Sequence, residues 1–129
     1  MKHPYFMSYG LIAIGLLHNL VGLLMGWEVL TAMHQEGWFA STIKQDMMLF
    51  DREAIVWFLV CGSLFILLGC VLKHLQKHDV PLPELLCPAL FTLGLLIVFI
   101  MPLSGGYLLI LLALVPSITG LRYRKSSHL

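Results

Sequence analysis

Residues 85–121 read LLCPALFTLGLLIVFIMPLSGGYLLILLALVPSITGL, a stretch of 37 residues without one charged side chain. A single helix of that length would be about 55 Å long, nearly twice the hydrocarbon core of a bilayer. The turn formers and proline of PLSGG, at residues 102–106, interrupt the stretch, and such residues end a helix. The stretch therefore predicts a tight hairpin of two short helices, about 85–101 and 107–121. Their limited length implies bilayer thinning, interfacial anchoring or a turn just beneath the surface.

Two further apolar segments precede this hairpin. Residues 6–25 form a run of 20 without a formal charge, and residues 54–72 form a run of 19; each can cross a core of about 30 Å. The chain is 59% hydrophobic and 12% charged, whereas a soluble domain has about 25% charged residues. The first run is longer than the apolar part of a secretory signal, about 7–15 residues. We therefore predict an all-α integral membrane four-helix bundle, one transmembrane domain over residues 1–129.

The distribution of lysine and arginine predicts the orientation of the four spans. With four spans, both termini and the loop between the second and third spans share one side of the membrane. That side carries six basic residues: Lys2, Lys73, Lys77, Arg122, Arg124 and Lys125. The other side carries only Lys44 and Arg52, so we expect both termini in the cytoplasm.

The outer loop, residues 26–53, is the only long segment outside the predicted spans. Its five acidic and two basic side chains give a net charge of −3. Apolar residues recur there at irregular steps of three to five, which indicates one or two short amphipathic helices on the outer membrane face, interrupted near Gly37. Trp27, Trp38 and Trp57 fall at this outer interface, where indole rings are common.

His18 and Asn19 are polar residues near the middle of the first span. Such groups are costly in a membrane and usually face the interior of a helix bundle. Gly15, Gly22 and Gly26 recur around them at helical spacing, which is typical of a close helix-packing surface. Two interpretations stay open: the pair bonds to a facing helix, or it takes part in binding a ligand, a proton or a cofactor.

Arg52 and Trp57 open the second span on the outer side. They either rim a pocket shared with His18 or belong to a solvated helix start. The turn before the fourth span, with Ser104, lies in the same half of the membrane by this topology. The candidate ligand-binding residues are His18, Asn19, Arg52, Trp57 and Ser104.

We predict no metal site, no cofactor and no nucleic-acid partner. His74 and His78 have the i, i+4 spacing of helical metal ligands, but Lys73 and Lys77 adjoin them, and we interpret the pair as part of a solvated loop. One intramembrane histidine cannot close a metal site, and haem ligation would need two copies of His18 face to face. The net charge of +1 argues against nucleic acid. The cysteines Cys61, Cys70 and Cys87 have apolar neighbours and indicate buried thiols.

Three short motifs occur in order along the chain. They are G-L-L-H at 15–18, W-F at 57–58 and P-x-S-G at 102–105, with P-L-P at 81–83 before the third span. In order and spacing they resemble a family of small four-helix bacterial inner-membrane proteins, known as a domain of unknown function. The resemblance covers essentially the whole chain.

This resemblance implies a location in the bacterial inner (plasma) membrane. It points to His18, Trp57, Ser104 and Gly105 but brings no activity with it. Val56 departs from the pattern, in which an aromatic residue precedes the tryptophan, and this weakens the argument for a pocket.

Three functions stay open. The first is a ligand-binding module that holds a small amphiphile or membrane lipid in an outward-facing pocket near His18. The second is an accessory or structural subunit, in which the glycine surface packs against a membrane-protein partner or a second copy as a homo-oligomer. The third is an intramembrane isomerase-type enzyme with His18 as acid or base, which we favour least because no second proton-transfer group lies at that depth.

Overall fold

The computed structural model of the chain describes residues 5–115, which are mostly helical. In chain order, the helices are α1 (Phe6–Met25), α2 (Trp27–Glu36), α3 (Phe50–Lys77), α4 (Leu86–Ile100) and α5 (Gly106–Val115). Between α2 and α3 lie two short strands, β1 (Ile43–Lys44) and β2 (Met47–Met48). The end of the predicted fourth span and the basic residues of both chain ends lie outside the described residues.

Two of these helices, α1 and α3, are long and apolar enough to cross a membrane. α4 and α5 are also apolar but shorter. All four expose large apolar side chains: Leu24 of α1 is 71% exposed, Leu67 of α3 is 59% exposed and Phe99 of α4 is 87% exposed. An apolar surface of this extent indicates contact with lipid or with another protein.

α1 and α3 pack against each other as an antiparallel pair with glycine at the points of closest approach. A Cβ atom added at Gly15 would lie 2.5 Å from the Gly62 carbonyl oxygen, and one added at Gly69 would lie 2.7 Å from the Ser8 carbonyl oxygen. Further along, Gly22 faces Phe58 and Leu59. Small residues allow this because they leave room for a neighbouring backbone.

α4 and α5 form a second antiparallel pair. A Cβ atom added at Gly94 of α4 would lie 3.0 Å from the Gly106 carbonyl oxygen of α5. This pair packs on the N-terminal half of α1 and the C-terminal half of α3. The buried cluster there consists of Met7, Leu11, Leu72, Leu90, Leu109, Leu112 and Ala113.

α3 continues to Lys77, so His74 lies on a helix and not in the loop we predicted. The helix ends in a Schellman arrangement: the Val80 N–H donates to the Leu75 carbonyl at 3.0 Å, and the Asp79 N–H donates to the Gln76 carbonyl at 3.3 Å. Asp79 occupies the left-handed position with φ +55°, where glycine is the usual residue.

The segment between α1 and α3 contains one helix and a small β-hairpin. α2 ends at Glu36, and Gly37 follows it with a φ of +87°. Strands β1 and β2 pair antiparallel, with Ile43 opposite Met48. The two residues between them, Gln45 and Asp46, have φ values of +50° and +60°, as a two-residue type I′ turn requires.

Candidate functional site

His18 lies flat against an aromatic ring of α3. The ring centres of His18 and Phe58 are 3.8 Å apart with an interplanar angle of 11°. The ring centre of Phe65 is 6.4 Å from that of His18, and the two rings meet edge to face at 76°. The imidazole also lies near a polar backbone group of Phe58. Even so, the buried Nε2 atom of His18 makes no hydrogen bond with any residue between 5 and 115.

His18 continues the face of α1 that packs on α4 and α5. Met7 and Leu11 of this face belong to the buried cluster and Ile14 packs against it, and His18 follows at the next helical step. On α3, Phe58 and Phe65 precede the core residue Leu72 at intervals of seven, so they share one face as well. His18 and Phe58 therefore lie where the surface covered by the α4–α5 pair would extend if those helices were longer.

The α4–α5 turn reaches only the level of His18. Leu112 of α5 lies against Gly10 of α1, which fixes the relative height of the two antiparallel helices. From there the start of α5 at Gly106 is six residues, or about 9 Å, along the axis. α1 continues from that level to Met25 for about 13 Å more. The α4–α5 pair therefore leaves this face of the C-terminal half of α1 uncovered. We call this uncovered surface the notch; it has the 102–105 turn as its floor and His18 and Phe58 on it.

Residues beyond the 102–105 turn have exposed side chains, as expected if α4 and α5 do not cover this face. Trp57 precedes Phe58 and is 67% exposed, and Met25 at the end of α1 is 82% exposed. Within residues 5–115, the Trp57 indole has no hydrogen bond or ring contact.

Ser104 belongs to the floor of the notch and caps α5. Its Oγ accepts a hydrogen bond from the Gly106 N–H at 3.3 Å, and its own N–H donates to the Met101 carbonyl at 3.0 Å. A hydroxyl that accepts from a first-turn N–H satisfies a group that the helix itself leaves unbonded.

Asn19 lies on a different side of the α1–α3 pair. Its Nδ2 donates to Ser63 Oγ at 3.2 Å, and Ser63 Oγ donates to the Leu59 carbonyl at 2.9 Å. Ser63 and Phe65 are on opposite sides of Gly62, at about +100° and −60° around the helix. The Asn19–Ser63 edge therefore faces away from the notch, and Ser63 is exposed there.

Arg52 is held by the segment that precedes α3. Its Nη1 donates to Glu36 Oε2 at 3.0 Å and to the Ser41 carbonyl at 2.7 Å, and its side chain is only 10% exposed. The hydrogen bond from Arg52 lowers the pKa of Glu36 below its usual value, and that same bond raises the pKa of Arg52. Lys44 Nζ adds a weaker contact to Glu36 at 3.8 Å. Arg52 thus anchors the β-hairpin segment to the start of α3.

The structure sorts the sequence candidates into three groups. His18, Trp57 and Ser104 lie around the notch, Asn19 lies on the opposite edge with Ser63, and Arg52 belongs to an ion pair with Glu36. Over residues 5–115, no group of three or more His, Cys, Asp or Glu side chains is placed to hold a metal ion.

The comparisons with known proteins identify the family of the chain. The family of unknown function DUF6463 matches residues 2–123. The chain belongs to the DUF6463 family. No curated protein and no solved structure matches it. The family description names no activity, so the function of this DUF6463 chain has to be argued from its geometry.

Sequence reasoning missed several residues that shape the site in this DUF6463 protein. Phe58 carries the stacking contact and Ser63 accepts from Asn19, yet neither stands out in an apolar run. The spacing held a usable signal: Gly15 and Gly22 are seven residues apart, as are Gly62 and Gly69. Matching seven-residue intervals indicate two helices with small residues on facing surfaces.

Proposed function

We propose that the chain is a bacterial inner-membrane protein that crosses the bilayer four times with both termini in the cytoplasm. α1 and α3 have the length and apolar character of spans. The shorter α4–α5 pair supplies the other two crossings, with its turn a little below the outer surface. The six-to-two distribution of basic residues supports this orientation.

We further propose that the notch binds a small amphiphile or a lipid. One observation carries this: the imidazole of His18 sits on the uncovered continuation of the core face, and its Nε2 lacks a hydrogen-bond partner among the described residues. A polar atom without a partner costs several kcal/mol in hydrocarbon. Because Nε2 is buried, a polar headgroup over the α4–α5 turn would bond to it after the imidazole turns about its Cβ–Cγ bond. Exposed apolar side chains such as Met25 and Trp57 would contact the chain of the amphiphile.

The test uses a variant that keeps the ring and removes its nitrogens. His18→Phe preserves stacking on Phe58, so the fold should be retained. The full chain is purified in mild detergent and its bound lipid is measured by native mass spectrometry. We expect bound lipid in the parent and its loss in His18→Phe. The matched control, Thr92→Ala, removes an exposed hydroxyl that bonds within its own helix to the Pro88 carbonyl, and it should leave bound lipid unchanged.

Fluorescence gives an independent readout of the same site. In a background with Trp27→Phe and Trp38→Phe, Trp57 is the only tryptophan, and a brominated amphiphile in the notch should quench it. Equal lipid retention and equal quenching in the parent and in His18→Phe would overturn the proposal.

A second candidate is self-association through the Asn19–Ser63 edge. Ser63 is an exposed hydroxyl on an otherwise apolar surface, and such groups bond across helices in membranes. In a background with the three native cysteines replaced by alanine, the Ser63→Cys protein should form an intermolecular disulfide on treatment with a mild oxidant if copies meet at this edge. Thr92→Cys on α4 is the control, because Thr92 is also an exposed hydroxyl residue and bonds within its own helix to the Pro88 carbonyl. Equal cross-linking of the two variants would count against the edge as an interface.

A further inference from the structure

The end of α3 brings two imidazole rings together. His74 lies in the last turn and His78 caps the helix. Their ring centres are 4.5 Å apart with an interplanar angle of 55°, and both side chains are exposed. The pair is independent of the notch and of the function proposed for it.

Hydrogen bonds at the helix end fix the backbone that carries the two rings. The hydrogen bonds of Val80 and Asp79 to Leu75 and Gln76 close the last turn of α3. His78 N–H also donates to the Leu75 carbonyl at 3.1 Å. Because the backbone is fixed on both sides of His78, only side-chain rotation remains to be restricted when the rings bind a common partner.

The ring separation matches that of two imidazoles bound to one metal ion. An imidazole nitrogen lies about 2.0–2.1 Å from a bound ion, which places the ring centre about 3.2 Å from it. Two rings bound to one ion at about 90° then have centres about 4.5 Å apart, the separation found here. The two rings therefore lie within reach of one metal ion.

The charges around His74 and His78 oppose the binding of a cation less than the sequence indicates. Lys73 Nζ lies over the ring of Tyr9 on α1, 4.8 Å from its centre, so its charge is directed to the neighbouring helix. The C-terminal end of α3 carries the negative end of the helix dipole, which favours a cation. Lys77 is the remaining basic neighbour along the helix and opposes cation binding.

We propose that His74 and His78 form a two-imidazole site for a divalent transition-metal ion, with Cu²⁺ bound most tightly. The two histidines supply two adjacent ligands, and water or a further molecule fills the other positions. Imidazole ligands and the general order of divalent metal affinities favour Cu²⁺ over Ni²⁺ and Zn²⁺.

The experiment is a titration of the full chain in mild detergent with Cu²⁺, Ni²⁺ and Zn²⁺, followed by calorimetry. All proteins carry His3→Ala and His128→Ala and no histidine tag, so that the terminal histidines do not contribute. We expect one Cu²⁺ per chain, affinity weakened about tenfold or more in His74→Ala and in His78→Ala, and unchanged affinity in His34→Ala. Lys77→Gln should tighten binding, because it removes the neighbouring positive charge.

Electron paramagnetic resonance of the Cu²⁺ protein checks the ligand count. The parent should show two equatorial imidazole nitrogens, and each single variant should show one. A double variant, His74→Ala with His78→Ala, that binds Cu²⁺ as tightly as the parent would overturn the proposal. So would a parent spectrum with a single imidazole nitrogen.

Discussion

Gly15 of α1 and Gly62 of α3 face each other reciprocally. A Cβ atom on Gly15 would lie 2.5 Å from the carbonyl oxygen of Gly62, and one on Gly62 would lie 3.0 Å from the carbonyl oxygen of Gly15. The Gly62 carbonyl that a side chain at position 15 would meet is a backbone atom, which cannot rotate away as a side chain can. Together with Gly69, which approaches the Ser8 carbonyl, this glycine pair allows α1 and α3 to lie close together.

Alanine at Gly15 should separate the two helices. We expect Gly15→Ala to lower the free energy of unfolding by about 1–3 kcal/mol, the usual cost of overpacking, measured as thermal unfolding in mild detergent. Gly105→Ala is the control, because a Cβ atom there meets nothing within 4 Å, and it should be nearly neutral. Equal stability of the two variants would show that α1 and α3 approach each other elsewhere.

The ion pair of Arg52 with Glu36 should make the β-hairpin segment sensitive to acid. Because the pKa of Glu36 is lowered in the folded state, the stabilisation is complete above its ordinary value of about 4.5. It is lost as the pH falls through the lower folded value. The hydrogen-exchange protection factors of residues 41–48, calculated against the intrinsic rate at each pH, should therefore fall in that range in the parent.

Glu36→Gln tests the origin of this acid response. In residues 41–48 the variant should have lower protection factors than the parent at pH 7, and they should not fall further at low pH. An identical acid response in parent and variant would assign the effect to another carboxylate. The expected effect is modest, because Glu36 is 45% exposed and exposed ion pairs are screened by water and salt.

Glycine at position 79 should stabilise the end of α3. Asp79 adopts φ +55°, a left-handed conformation that glycine adopts without strain, and its charge lies at the negative end of the helix dipole. We expect Asp79→Gly to raise the free energy of unfolding by about 1 kcal/mol. The opposite change, Gly37→Ala at φ +87°, should lower stability although no atom obstructs the new side chain. A loss of stability in Asp79→Gly would mean that the Asp79 carboxylate makes a contact that stabilises the fold by more than its left-handed backbone destabilises it.

Ser104 should act through the helix cap. Ser104→Ala removes the acceptor for the Gly106 N–H, and the loss of such a cap costs about 1 kcal/mol. Ser104→Thr keeps the hydroxyl and should retain most of the stability, as measured by thermal unfolding. If both variants lost bound lipid without losing stability, Ser104 would instead contact the ligand directly.

The sequence predicted the helical class and the two long apolar helices because uninterrupted apolar runs determine them. The break at 102–106 likewise follows from proline and glycine, which act locally. Residues 43–48 gave no such signal: each strand has two residues, and the turn uses Gln45 and Asp46, which take positive φ less readily than Asn-Gly. The predicted second span ends at residue 72 because Lys73 interrupts the apolar run there. The helix itself continues to Lys77, since a charged residue does not end a helix.

The candidate site was harder to predict, since it depends on which faces of two helices meet. His18 and Asn19 are neighbours in sequence but point about 100° apart on a helix. One therefore stacks on Phe58 beside the notch, and the other bonds to Ser63 on the far edge. That division follows from the register of α1 against α3, and the two contacts join residues 40 and 44 positions apart.

The seven-residue spacing of the glycines leaves the pairing of α1 and α3 degenerate. If α1 slid along α3 by one heptad, Gly22 would face Gly62 and Gly15 would face Gly69, so glycine would still meet glycine. Asn19, however, would move from Ser63 to the level of Cys70, whose thiol is a poor hydrogen-bond partner for an amide. The Asn19–Ser63 hydrogen bond thus favours the observed register over the slid one, in addition to the stacking of His18 on Phe58.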